Sequence, residues 1–187
     1  MRCFKFLLFP LILSGNILAQ GNLPIALKLD EKNGFKDFQI GDGYSKWQKE
    51  LKFLNKKNDL SFYTYTGNCC PTIFSVDVEF INLGFKDGKL AVIYLETKTV
   101  RVPSKTKWES DDYEVIKRNF DLLFEVVSPN FPTDDNSGRT ISQWIGKKLF
   151  LTLTYHYQGI KKLGDSVDGS GNCSVMLGLL PDTIKDF

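Results

Sequence analysis

The most unusual chemistry-bearing feature of the sequence is a pair of adjacent thiols, Cys69 and Cys70, with a third at Cys173. Of the four cysteines, Cys3 falls within residues 1–19, which have the order of a signal peptide; the three that remain after its removal predict one bridge and one remaining thiol in a compartment that permits disulfides. Cys173 with Cys69 or Cys70 is the expected pairing, because both places follow Gly-Asn where a loop enters a strand. Such a bridge would close a loop of about a hundred residues and contribute roughly 4 to 5 kcal/mol in the chain-entropy description. The remaining thiol reads as a buried, inert cysteine before it reads as a reactive one. No metal centre is expected on these thiols, since Cys-x-x-Cys spacing is missing and the chain has a single histidine.

That histidine, His156, is the natural candidate for acid-base work near neutral pH. It shares one face of a predicted strand with Phe150, Thr152 and Thr154, which places it on the wetter side near the strand's end. Asp77 and Glu79 also share a strand face, two residues apart, so their carboxyl groups would lie roughly 6 to 7 Å from each other. That spacing is near the range of a glycosidase pair, although alternating acids are ordinary on the solvent face of an antiparallel sheet. No Gly-x-Ser-x-Gly elbow marks a serine nucleophile, and no catalytic residue is assigned.

The oxygen-rich stretches Asp134 to Gly138 and Asp165 to Gly169 lack the spacing of a calcium loop and read as turns. Gly169-Ser170-Gly171 precedes a strand, so it offers no helix N-terminus to a phosphate. No cofactor is expected. Lys98, Arg101, Lys105 and Lys107 lead to Trp108, a basic run ending in an aromatic that reads as a solvated connector or as a face for an acidic partner.

The elements that must position these groups follow from periodicity. Residues 1–19 have the charged, apolar, small-residue order of a signal peptide, so an exported protein, periplasmic or extracellular, is expected. Their apolar run is too short to cross a bilayer, which argues against stable membrane insertion. Without Arg2 and Lys5 the 24 basic residues fall to the number of acidic ones, 22, and no overall attraction to nucleic acid remains. Residues 20–34 read as a loose lead-in, and 35–187 as one α+β domain. Tyr44, Trp47, Leu51 and Leu54 recur at helical spacing, as do Tyr113, Ile116, Phe120, Leu123 and Val127 behind a capping Ser110.

Strands are predicted at 35–40, at 61–66, and from Phe74 to Phe80, where Phe74, Val76, Val78 and Phe80 would face the core. Asp87-Gly88 predicts a two-residue hairpin into Leu90–Leu95, apolar on both sides and therefore central in its sheet. A second hairpin, 141–145 with 149–157, turns at Gly146-Lys147. Residues 159–172 read as a long loop before a last strand at 173–180. The sum is an antiparallel sheet of about five to seven strands with two helices on one face, possessing the look of a loose duplication.

The hairpins Gly-Phe-Lys-Asp-Gly-Lys-Leu at 84–90 and Trp-Ile-Gly-Lys-Lys-Leu at 144–149, within a helix-then-meander layout, resemble small exported bacterial domains of the β-lactamase-inhibitor-protein-like and BamE-like groups. Members of those groups bind other proteins. The resemblance therefore implies a non-enzymatic, inhibitor-like module whose partner is another envelope or secreted protein. Two other readings are carried: a hydrolase or carbohydrate-active enzyme using Asp77, Glu79 and His156, and a structural component of the envelope.

Overall fold

Most of the chain is built from strands whose side chains alternate between two faces of one pleated layer. A computed structural model describes residues 24–102, 111–132, 139–161 and 167–181. The signal-peptide segment, Lys105, Lys107, Trp108, the Ser110 cap and the Asp134 to Gly138 stretch lie outside these residues.

The elements in chain order are α1 (Leu27–Lys32), β1 (Gly34–Phe35), β2 (Phe38–Gln39), α2 (Tyr44–Trp47), β3 (Leu51–Lys57), β4 (Leu60–Tyr65), β5 (Thr72–Ile73), β6 (Val76–Lys86) and β7 (Lys89–Thr97). There follow β8 (Val100–Val102), α3 (Asp111–Phe124), β9 (Asn130–Pro132), β10 (Arg139–Ile145), β11 (Leu149–Lys161) and β12 (Val167–Leu179). Among the described residues a 10-stranded antiparallel sheet has the spatial order β3-β4-β6-β7-β12-β11-β10-β9, with β5 on β6 and β8 on β12. The fold class is thus α+β with more strands and less helix than expected. No described helix is long and apolar enough to cross a membrane.

One face of this sheet holds the core. Rows running across the strands, such as Leu83-Ile93-Leu177-Leu151-Trp144 and Ile81-Leu95-Val175-Leu153, are buried throughout. Helix α3 lies over them with Tyr113, Ile116, Phe120 and Phe124 inward, the i, i+3, i+4 repeat that gives a helix one apolar stripe. Each such ring or branched chain taken from water contributes about 1.5–3 kcal/mol. Strand β7 is central as its sequence implies, and both expected hairpins form, through Asp87-Gly88 and Gly146-Lys147.

Four expectations are corrected. The segment after Trp47 is not helix: a 3-10 turn at Gln48–Glu50 ends it, and Leu51–Lys57 pairs with β4 around Asn58-Asp59, both at positive φ. A two-residue Asn-Asp turn of that kind favours a hairpin, and pairing with β4 outweighs a helical pattern whose last member, Leu54, is exposed. Next, Phe74 sits in the β5-β6 turn at φ 48, and a bulge between Val78 and Phe80 sends Phe80 to the other face, so the predicted core row is broken. Third, Leu27–Lys32 is a helix within the predicted lead-in, capped by Asn33 at φ 49.

Last, β11 and β12 stay paired out to Lys161 and Val167, where a loop was expected. Here the glycines serve packing: a Cβ at Gly171 would come within 2.3 Å of the Tyr155 hydroxyl, and one at Gly169 within 2.3 Å of the Tyr157 ring.

Candidate functional site

The core face does not close completely. Between α3, the sheet and the β1-β2 hairpin lies a cavity of about 310 Å³. Ile93, Leu95, Leu151, Val175 and Leu177 form its floor, Phe120, Leu123 and Phe124 the helix wall, and Phe35, Ile73 and Phe74 the opposite wall. Phe74 is set in place by a tight turn in which it and Ser75 both have positive φ (48 and 75), a conformation costly for side chains with a Cβ. That turn lays the Phe74 ring edge-on against Phe120 at 5.0 Å. Two lysines, Lys32 and Lys36, complete the lining and are themselves exposed, so they mark the mouth. The Lys36 ammonium donates to the Thr72 carbonyl at 2.6 Å, leaving it two further protons to offer.

The opposite face of the sheet carries a polar network. His156 Nε2 lies 2.9 Å from Ser174 Oγ, the Tyr94 hydroxyl donates to Glu96 at 2.9 Å, and the Asn172 amide donates to the other Glu96 oxygen at 2.5 Å. Ser174 stands directly across from Glu96, and His156 stands between Asn172 and Arg139 on its neighbouring strands. Beside this network runs a row of Phe62, Gly84, Val92, Gly178 and Phe150, in which the Phe62 and Phe150 rings lie close over the two glycines.

A serine against a histidine invites comparison with a nucleophile and its base. The backbone around Ser174 is engaged in ladders on both sides, however, so no pair of free N–H groups is aimed at a developing oxyanion.

Burial, and then the nearby Arg139 guanidinium, hold the His156 imidazole below its ordinary pKa of 6.5. A depressed histidine is neutral in the folded protein while the unfolded chain takes up a proton, so stability is complete above pH 6.5 and falls as pH drops through that value. A urea series from about pH 8 to about pH 5 should show this loss, and His156→Gln should flatten it. An unchanged slope in the variant would place the effect on other groups.

Asp77 is exposed and paired with Lys98 at 2.9 Å, and Glu79 is exposed at the bulge of β6. The Asp77 carboxylate, through its hydrogen bond and charge, raises the Lys98 pKa. Strand β6 is separated from β11 by β7 and β12, so these acids stand three strand spacings, about 14 Å, from His156. The structure does not gather the three into one site.

The sulfurs of Cys69 and Cys70 lie within bonding distance of each other, as an adjacent-residue disulfide. Cys173 is buried and takes no part in it, so the expected long-range bridge is corrected. The reason is position: Cys173 lies in the middle of the sheet, its amide bonded to Thr97 Oγ1 at 2.9 Å. Cys69 and Cys70 belong to the loop between β4 and β5.

The cavity was not legible from the sequence, because its walls are apolar residues from six separate elements and only the fold brings them together. No protein-family model, curated protein or solved structure matches this chain.

Proposed function

We propose that this is an exported, non-enzymatic binding module whose ligand is an amphiphile with an apolar body and an anionic head. The supporting observation is the cavity under α3, apolar in its depth and with Lys32 and Lys36 at its mouth. Its volume falls at the lower end of the roughly 300–1,000 Å³ typical of small-molecule sites. An apolar chain entering it would exchange water for Ile93, Leu95 and Phe120, while a carboxylate or phosphate at the mouth would meet two ammonium groups.

Calorimetric titration with dodecanoate and with dodecanol tests this. Lys32→Glu with Lys36→Glu should weaken dodecanoate about tenfold, or ~1.4 kcal/mol, and leave dodecanol unchanged. Leu123→Trp, which places an indole in the cavity from the helix wall, should weaken both. Absence of saturable binding, or equal affinity in all variants, overturns the proposal.

A second reading, docking of another envelope or secreted protein, draws support from the outer sheet face. The helices among the described residues pack on the core side, so no described helix covers the Phe62-Val92-Phe150 row or the His156-Ser174-Glu96 network, although Ser174 itself is buried. Phe150→Lys would abolish capture of such a partner while sparing dodecanoate binding.

A further inference from the structure

We propose that Cys69, Cys70 and Asp37 form, in the reduced protein, a binding site for a thiophilic divalent cation of the zinc and cadmium class. The two sulfurs and an Asp37 carboxylate oxygen all lie within 4.8 Å of one another. Around a tetrahedral zinc, with sulfur at about 2.3 Å and oxygen at about 2.1 Å, neighbouring ligand atoms are separated by ~3.5–3.8 Å, so one ion fits within that span once reduction frees the two sulfurs to move apart from bonding distance.

Asp37 comes from the turn between β1 and β2, far from the cysteines in sequence, and the fold fixes it against them. Phe38, next to Asp37, packs its ring on Tyr65 at 5.0 Å and on Trp47 at 4.7 Å. The bond from Lys36 to the Thr72 carbonyl ties the same turn to the residues following Cys70. On the other side, the Tyr65 hydroxyl takes the Cys69 amide proton as its partner. Cys70 is buried, Cys69 half-buried and Asp37 exposed, so an ion would enter from the Asp37 side and keep a water in its fourth position.

The disulfide and the metal exclude one another, which makes the site redox-gated. A dithiol reductant delivers two electrons and two protons to the sulfur-sulfur bond, forming two thiols and becoming a disulfide itself. Cation binding then displaces both thiol protons to solvent, because thiolate is the ligand. The site is independent of the cavity and of the ligand proposed for it.

The test uses the full chain reduced by a phosphine, which becomes its oxide with oxygen from water and carries no competing thiol. Cadmium titration should give a sulfur-to-metal charge-transfer band saturating at one ion per chain, with two protons released per ion. The oxidised protein should give neither. Cys69→Ser and Cys70→Ser should each remove the band, and Asp37→Asn should weaken binding about tenfold or more while leaving the band in place at saturation. A band that survives in the Cys69→Ser/Cys70→Ser double variant, or none in the reduced wild type, overturns the site. Unchanged affinity in Asp37→Asn overturns its third ligand.

Discussion

Asp30→Ala is expected to destabilise the protein by about 2–4 kcal/mol, a large effect for one exchange in a six-residue helix. The Asp30 carboxylate accepts three successive backbone amides of the β10-β11 turn: Lys147 at 2.6 Å, Lys148 at 3.0 Å and Leu149 at 3.0 Å. Hydrogen bonds to a charged acceptor contribute about 1.5–3 kcal/mol each when water cannot replace them. Here Lys147 and Lys148 are exposed and recover part of the loss by hydration, whereas Leu149 is buried and does not. The same carboxylate explains Gly146, since a Cβ there would come within 2.5 Å of Asp30 Oδ1.

Together with the Ala26 amide on the Ile145 carbonyl at 2.8 Å, these contacts fasten α1 to the hairpin. Denaturant unfolding should give Asp30→Asn about half the loss of Asp30→Ala, because one acceptor oxygen remains. Gly146→Ala should also be destabilising. Amide exchange at Lys147 to Leu149 should accelerate in Asp30→Ala before it does elsewhere. A loss below about 1 kcal/mol would mean that water serves these amides as well as the carboxylate does.

Asp30 also indicates where sequence reading succeeds and where it stops. Alternation and turn chemistry are local, so β7, β10 and β11 were legible from Asp87-Gly88, from Gly146-Lys147 and from the apolar run at 90–95, whereas β6 was legible as a strand but its facing was not, because the bulge between Val78 and Phe80 leaves the alternation of residue types intact. Helix α3 was legible for the same reason, although it ends at Phe124, with Glu125 at φ 55, and puts Phe124 rather than Val127 in its stripe. Residues 48–54 were misread because a period of three to four also occurs by chance in a strand whose outer residues are apolar; Phe53 is 60% exposed. The Asn58-Asp59 turn was the signal that could have corrected it. The role of Asp30, by contrast, rests on partners 117 to 119 residues away, and no pattern within 27–32 reports it. The Asp37-Cys69-Cys70 group is of the same kind. The adjacent thiols stand out in the sequence, but nothing around residue 37 ties Asp37 to them, and the β1-β2 hairpin alone brings it alongside.

The largest single loss is expected at Trp144, where replacement by alanine should cost about 3–5 kcal/mol, much of the 5–15 kcal/mol that holds a domain of this size together. Trp144 is 1% exposed, and its ring meets Phe120 at 5.3 Å and Phe124 at 6.2 Å. Its indole N–H donates to Asp121 Oδ1 at 3.0 Å and to the Val126 carbonyl at 3.1 Å. Asp121 also accepts the Ser128 amide at 2.8 Å and pairs with the buried Lys117 at 2.7 Å. One side chain thus joins the end of α3, the segment after it and strand β10, and alanine would leave both a cavity and unpaired polar groups.

Trp144→Phe separates the two contributions. It keeps most of the ring volume and should lose about 1–3 kcal/mol, the share of the N–H bonds. Combining it with Asp121→Asn should give less than the sum of the two single losses, because they act on one network. Phe120 and Phe124 are walls of the cavity as well as neighbours of Trp144, so stability and binding meet here. Trp144→Phe should retain dodecanoate affinity at temperatures where it stays folded, whereas Trp144→Ala should lose it by letting the two rings fall into the space the indole vacates. If both variants bound equally well, the position of those rings would not shape the cavity.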